Sequence, residues 1–276
     1  METNLLSAKQ EGGMFKKILP MVGHGVKDAG RDFSITRFVI LAVPRVGSNY
    51  LCGMLNSHPE ILCHHELFHP NDIYYAFGHR NGDLDFGTLQ DRDHLPKEFL
   101  IRVWEENLGC AAVGFKLLSG QNRTAFELVL GDTGIKKILL TRRNRIKTYV
   151  SLLRAQRTGV YSNADKDQRR KDIKVTVDID SVYENIERNK RYYEWIHKEL
   201  NASRQIFLEV AYENLTKDEE KLRILEFIGV SLYPAYLQPV NKKQSSGDLR
   251  DSVTNFAELA IRLRGTDLEA ELYSLD

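Results

Sequence analysis

The turn at residues 44–49 is the feature that most restricts how this chain can fold. It reads Pro-Arg-Val-Gly-Ser-Asn and separates an apolar run, residues 37–43, from a segment whose apolar residues recur at helical spacing. We predict a buried strand that ends at Pro44 and a helix capped by Ser48 or Asn49. The backbone N–H groups of such a turn and of the helix N-terminus can face one bound anion. This arrangement therefore predicts an anion-binding site.

Three further apolar runs predict strands in the rest of the chain, at residues 112–118, 136–141 and 205–210. Helical spacing predicts helices at 146–153, 180–200 and 217–228, the last with a capping box formed by Thr216 and Glu219. Strands that alternate with helices predict an α/β fold with one mainly parallel sheet flanked by helices. We expect an N-terminal extension, residues 1–36, followed by a single domain, residues 37–276.

Charge and composition exclude several classes of protein. The chain has 39 basic and 38 acidic residues, so its net charge of +1 gives no general attraction for nucleic acid. Its apolar runs fall short of the roughly 20 residues that a membrane span needs, and its start lacks the pattern of a secretory leader. Three widely spaced cysteines, Cys52, Cys63 and Cys110, make a poor disulfide framework and favour a cytoplasmic location.

A second candidate anion site follows the strand predicted at 136–141. Four basic residues, Arg142, Arg143, Arg145 and Lys147, stand at the start of the next helix, where the helix dipole disfavours positive charge. A bound anion would explain them, although a basic, solvated helix start is the alternative interpretation. Ser151 lies eight residues after Arg143, a little over two helical turns, so both can share one face.

These motifs resemble, in their order, those of PAPS-dependent sulfotransferases. Residues 44–51 are similar to the 5′-phosphosulfate loop of that family, and Arg143-Asn144 with Ser151 is similar to its 3′-phosphate motif. Two later segments resemble further family motifs: Tyr212-Glu213-Asn214-Leu215 and Asn255-Phe256-Ala257-Glu258-Leu259. The chain lacks the second glycine and the lysine of a Walker A loop, which argues against a kinase or GTPase.

The resemblance implies a P-loop-NTPase-like three-layer fold, PAPS as sulfuryl donor, PAP as product and no metal. It is closest to the bacterial sulfotransferases that act on Nod factors and glycolipids, so it implies a carbohydrate or glycolipid-type acceptor. Arginine at position 45, where the cytosolic branch of the family has lysine, points the same way. The residues that it implies for nucleotide binding are Arg45, Val46, Gly47, Ser48, Asn49, Tyr50, Arg143 and Ser151.

The segment His65-Glu66-Leu67-Phe68-His69 allows two interpretations. It matches the HExxH signature of zinc hydrolases, which requires both histidines on one helix face, but Pro59 and Pro70 leave little room for that helix. The resemblance to sulfotransferases instead makes Glu66 the candidate general base, with His65 as the second candidate and Arg45 stabilising the leaving group. A nucleotide-binding module that keeps PAP(S) affinity without turnover is a third hypothesis.

Several other side chains have two open interpretations. Lys116 either faces the site as a substrate contact or extends past a strand edge into solvent. The aromatic residues Tyr74, Tyr75, Phe77 and Phe86 form either an acceptor-binding wall or part of the core. The segment at residues 242–244 is either a loop that closes over the nucleotide or a solvated turn.

Overall fold

The computed structural model describes residues 35–76, 84–161, 173–238 and 247–274. The predicted N-terminal extension lies outside these ranges up to residue 34, so its boundary with the folded domain stays a prediction. Phe77 and the segment 242–244 also lie outside the described residues.

A five-stranded parallel sheet forms the centre of the described domain. Its spatial order is β2-β3-β1-β4-β5, and every adjacent pair is parallel. The strands are β1 (Thr36–Ala42), β2 (Ile61–His64), β3 (Ala112–Leu118), β4 (Ile135–Thr141) and β5 (Phe207–Ala211). The four predicted strands are confirmed within two residues at each end, because buried parallel strands are continuous apolar runs that are easily recognised.

Helices flank the sheet and connect its strands. They are α1 (Ser48–Leu55), α2 (Leu89–His94), α3 (Pro96–Glu105), α4 (Arg123–Gly131), α5 (Arg145–Thr158), α6 (Ile179–Ala202), α7 (Asp218–Ile228), α8 (Phe256–Leu263) and α9 (Glu269–Tyr273). The predicted α/β class and P-loop-like architecture are therefore confirmed. No helix among the described residues is both long and apolar enough to cross a bilayer.

Two predicted helix caps are wrong. Helix α1 begins after Gly47, which has a left-handed backbone, and neither Ser48 nor Asn49 caps it with a side chain. Helix α7 begins after Lys217, one residue later than a Thr216 cap requires, and no side chain caps it. Its first turn is acidic instead, which stabilises a helix start through the dipole without a capping box.

The strand register brings the carboxyl ends of three strands to one edge of the sheet. Ala42, the last residue of β1, pairs with Leu118 at the end of β3 and with Leu140 near the end of β4. The neighbours of β1 are β3 on one side and β4 on the other, so the crossover connections on its two sides run in opposite directions. Ligands of open α/β sheets bind in the crevice at such a position.

A second apolar core supports the α5 side of the domain. It joins α5, the start of α6, α8 and α9 through buried residues that include Ile146, Val182, Leu259 and Leu272. Asn255, in the segment that resembles a closing family motif, binds the backbone of Val177 with both atoms of its amide, each at 2.9 Å. That motif therefore anchors α8 to the chain before α6.

Glu60, in the segment between α1 and β2, binds the segment after α7. Its carboxylate accepts hydrogen bonds from the Ser231 N–H at 2.9 Å and from the Ser231 hydroxyl. Burial opposes the charged form of Glu60, but the hydrogen bonds from Ser231 outweigh it and hold the pKa of Glu60 below its usual value. A carboxyl with a lowered pKa in the folded state stabilises the fold above its unfolded pKa.

We therefore expect Ser231→Ala to lower the free energy of unfolding by about 1 kcal/mol at pH 7. The difference from wild type should shrink as the pH falls below about 4, where the Glu60 carboxylate becomes protonated in both proteins. Urea unfolding at pH 7 and pH 3.5 measures both values. In a Glu60→Gln background the effect of Ser231→Ala should not depend on pH, and a pH dependence that persists there would contradict the assignment.

Candidate active site

The phosphate loop, residues 44–49, connects the carboxyl end of β1 to α1. Arg45 and Gly47 both have left-handed backbone conformations, with φ of 73° and 95°. The Gly47 carbonyl accepts from the N–H groups of Tyr50 at 2.9 Å and Leu51 at 3.1 Å, which starts the helix. The N–H groups of Ser48 and Asn49 precede the first intrahelical donors, so they are available to an anion at the helix N-terminus.

Gly47 lies directly beneath an aromatic ring that the sequence did not link to the loop. A Cβ at this position would be 2.2 Å from Cδ2 of Tyr212, so only glycine fits. The Tyr212 ring also lies 4.9 Å from the guanidinium carbon of Arg142 and meets Tyr50 edge-on at 6.0 Å. The short helix Tyr212–Asn214 after β5 therefore supports the phosphate loop from the side of β4.

Two of the residues predicted to bind the nucleotide have side chains that lie in the core or pack against it. Val46 is buried, so any contact that it makes with a ligand is through its backbone. Tyr50 packs partly buried against the main core and the Tyr212 ring. Burial raises the pKa of Tyr50, against the opposing effect of Lys221.

Arg45 extends from the phosphate loop to α5. Its Nε donates to Ser151 Oγ at 3.0 Å, and its Nη1 donates to the carbonyl oxygen of Tyr161 at 2.7 Å. The structure thus brings together one predicted residue from each anion motif. The sequence had suggested that Ser151 shares a ligand with Arg143, and its observed partner is Arg45.

A group of polar side chains gathers on the other side of the loop. Lys116 Nζ lies 2.8 Å from Glu66 Oε1 and also donates to Asn49 Oδ1. Gln121 Nε2 donates to the second carboxylate oxygen of Glu66 at 2.8 Å. The Lys116 side chain is 2% exposed and that of Glu66 is 20% exposed, so this ion pair is screened little by solvent. Lys116 faces the site, which excludes the interpretation as a solvent-facing edge lysine.

His65 contacts the same amide. Asn49 Oδ1 lies 3.3 Å from His65 Nδ1 and also accepts from the Lys116 ammonium, so two donors converge on an atom that can only be the oxygen. The proton of a neutral His65 therefore lies on Nδ1 and its lone pair on Nε2.

The HExxH interpretation fails on geometry. Strand β2 ends at His64, and residues 65–70 form turns instead of the helix that would place two zinc ligands on one face. Backbone contacts between Glu66 and Tyr74, and between His65 and Tyr74, fix this segment in a non-helical path. Among the described residues no group of three His, Cys, Asp or Glu side chains is arranged to hold a metal ion.

Two acidic residues occupy the N-terminus of α5. Glu213 Oε1 accepts from the N–H groups of Arg143 at 2.9 Å and Asn144 at 3.4 Å. Glu271 accepts from the N–H of Arg145 at 2.6 Å and from its guanidinium Nε at 2.6 Å. Carboxylates from within the chain thus compensate the positive charge of this helix start. Arg145 needs no bound anion, and the argument for a second anion site rests on Arg143.

Arg143 is the candidate that stays available to a ligand. Its residue is exposed at the carboxyl edge of β4, and its backbone is fixed by Glu213. Lys147, in contrast, is 5% exposed on the buried face of α5. The sequence could not show which of the four basic residues is available to a ligand. The carboxylates that contact this helix start, Glu213 and Glu271, lie 70 and 126 residues further along the chain.

A cavity of about 780 Å³ connects the phosphate loop with the polar group. Among the residues that line it are Arg45, Ser48, Asn49, His65, Glu66 and Lys116. Of the predicted aromatic wall, Tyr74 lines this cavity, whereas Tyr75 and Phe86 pack in or against the main core. Arg143 is not among the lining residues.

No protein-family model matches the chain. Nodulation protein H of Rhizobium meliloti (strain 1021) is 25% identical to it over 229 residues, which cover 81% of this chain and 90% of that protein. Nodulation protein H of Rhizobium tropici is 26% identical over 242 residues, 87% of this chain and 93% of that protein.

Two solved structures are also similar. A sulfotransferase from Alicyclobacillus acidocaldarius is 15% identical with a TM-score of 0.43, covering 87% of this chain and 96% of that one. A mouse sulfotransferase in complex with PAP is 14% identical with a TM-score of 0.44, covering 86% of this chain and 87% of that one.

The sequence similarity supports the resemblance to sulfotransferases. The motifs predicted a resemblance to the bacterial type that sulfates Nod factors, and the similarity to Nodulation protein H confirms it. That similarity extends over more than four fifths of the chain.

Proposed function

We propose that this chain transfers the sulfuryl group of PAPS to a hydroxyl of a carbohydrate or glycolipid-type acceptor, with Glu66 as the general base. The observation that supports this most is the shared cavity, which has the phosphate loop on one side and the Glu66–Lys116 ion pair on the other. A donor on the loop and an acceptor beside Glu66 would meet there in line.

The residues at the loop fit the 5′ end of PAPS. The N–H groups at the start of α1 and the hydroxyl of Ser48 would face a phosphate bound at the helix N-terminus, and Arg45 would add a charged donor beside them. When bound, PAPS would supply the sulfuryl group and leave as PAP. Arg143 and Ser151 would hold its 3′-phosphate.

Glu66 would accept the proton of the acceptor hydroxyl as that oxygen bonds to sulfur. Lys116 and Gln121 fix the two oxygens of its carboxylate, so the base is oriented before the acceptor arrives. Arg45 and the loop N–H groups would stabilise the negative charge that develops on the leaving phosphate. The guanidinium would have to exchange its contact with Ser151 or Tyr161 for that role.

Isothermal titration with PAP tests the donor. We expect wild type to bind PAP with a Kd below about 1 mM, and Arg143→Ala to weaken binding about 10- to 100-fold, the value of a charge-assisted hydrogen bond. Arg188→Ala, an exposed arginine on α6, is the matched control and should bind as wild type does.

Absence of PAP binding by wild type at sub-millimolar concentration would end the proposal. Radiolabelled sulfuryl transfer from PAPS to a panel of carbohydrates and glycolipids tests the reaction itself. PAP binding without transfer to any member of the panel would instead support the nucleotide-binding module.

A further inference from the structure

One side chain links the two anion motifs at the point where they leave the sheet. Strands β1 and β4 pair as far as Ala42 and Leu140, and beyond this pair their chains separate into the phosphate loop and the Arg143 motif. Tyr193, on the long helix α6, reaches across the gap. Its Oη accepts from the Val43 N–H at 3.3 Å and donates to the Leu140 carbonyl at 2.6 Å.

The Tyr193 hydroxyl is suited to this link because it donates and accepts at once. Val43 immediately precedes the phosphate loop, and Leu140 lies three residues before Arg143. Burial raises the pKa of Tyr193, so its hydroxyl keeps the proton that it donates to Leu140. The ring is held by the main core and by an edge-on contact with Tyr192, with ring centres 5.1 Å apart.

We propose that Tyr193 sets the spacing between the phosphate loop and Arg143, and is thereby a positioning residue for nucleotides that carry both a 5′- and a 3′-phosphate. This rests on the proposed function, because that function requires one ligand to engage both motifs. Tyr193 itself is expected to contact neither phosphate, since it lies beneath the ends of the strands.

The consequence is a difference between ligands. PAP has phosphates at both ends and senses the distance between the motifs, whereas 5′-AMP engages the phosphate loop alone. A Tyr193→Phe variant keeps the ring in the core but loses both hydrogen bonds, so the ends of β1 and β4 are no longer tied. A loss of fold stability by itself would not distinguish the two nucleotides.

Titration of wild type, Tyr193→Phe and Tyr183→Phe with PAP and with 5′-AMP tests this. In Tyr193→Phe we expect the Kd for PAP to rise about tenfold and the Kd for 5′-AMP to change less than about threefold. Tyr183, an exposed tyrosine on the same helix, is the control and should leave both unchanged. The binding stoichiometry reports the folded fraction of each variant.

A second measurement uses PAP alone. If Tyr193 acts by placing Arg143, then Tyr193→Phe should cost less than about twofold in PAP affinity once Arg143 is already alanine. Equal losses for PAP and 5′-AMP, an unchanged PAP affinity, or additive effects of the two substitutions would each overturn the proposal. A wild type that does not prefer PAP to 5′-AMP would instead overturn the proposed function.

Discussion

Replacing Glu66 with glutamine is expected to lower kcat for sulfuryl transfer about 1,000-fold, within the range that general base catalysis contributes. Glutamine has nearly the shape of glutamate but cannot accept the proton of the acceptor hydroxyl. It also removes the ion pair with Lys116, because the amide carries no charge. The acceptor with the highest turnover in the panel serves for the assay.

PAP binding separates a catalytic effect from a collapsed site. Among the described residues the Glu66 carboxylate has its ion pair and hydrogen bond with Lys116 and Gln121, which lie outside the phosphate loop. We therefore expect the Kd for PAP in Glu66→Gln to stay within about threefold of wild type. A comparable loss of PAP affinity and of turnover would show that the side chain organises the loop instead of moving a proton.

His65 is the competing base, and a matched variant distinguishes it from Glu66. His65→Asn keeps a donor near the position of Nδ1, which contacts Asn49, and removes Nε2 with its lone pair. If Glu66 is the base, this change should cost less than about tenfold in kcat. The opposite ranking of the two variants would assign the base to His65.

The fold could be predicted from the sequence because its strands and helices have local patterns of apolar residues. Strand β3 was predicted residue for residue, and β1 within one residue, since each is an uninterrupted apolar run bounded by turns. Strand β2 was missed because four residues beside a histidine cluster carry too little pattern. The turns that follow it, at residues 65–70, take the place of the helix that the zinc hypothesis needed.

Much of the site could not be predicted because its contacts join distant parts of the chain. Asn49 and Lys116 are 67 residues apart, and Arg145 and Glu271 are 126 apart. A capping residue or a turn has a local signature, but an acidic residue that compensates a remote helix start has none. The basic start of α5 therefore suggested a bound anion, where the fold had already placed two carboxylates.

The second large effect is expected from a substitution in the phosphate loop, Gly47→Ala. Gly47→Ala puts a methyl group 2.2 Å from one ring carbon of Tyr212 and 2.6 Å from another, at a φ of 95°. Either the ring or the loop must move, so we expect a loss of about 3 kcal/mol in unfolding free energy from strain and overpacking. We also expect at least a tenfold loss of PAP affinity.

Gly109→Ala separates the backbone strain of the Gly47 substitution from the steric clash with Tyr212. Gly109 has a similar φ of 80°, but a Cβ there meets nothing within 4 Å, so only the backbone penalty of about 1 kcal/mol applies. Urea unfolding compares the two variants, and Tyr212→Ala supplies the remaining test. With the ring removed, Gly47→Ala should cost no more than Gly109→Ala. If the two glycine substitutions cost the same while Tyr212 is present, the ring does not confine the loop and the conformation of residues 44–49 must be maintained by Arg45 and α5 instead.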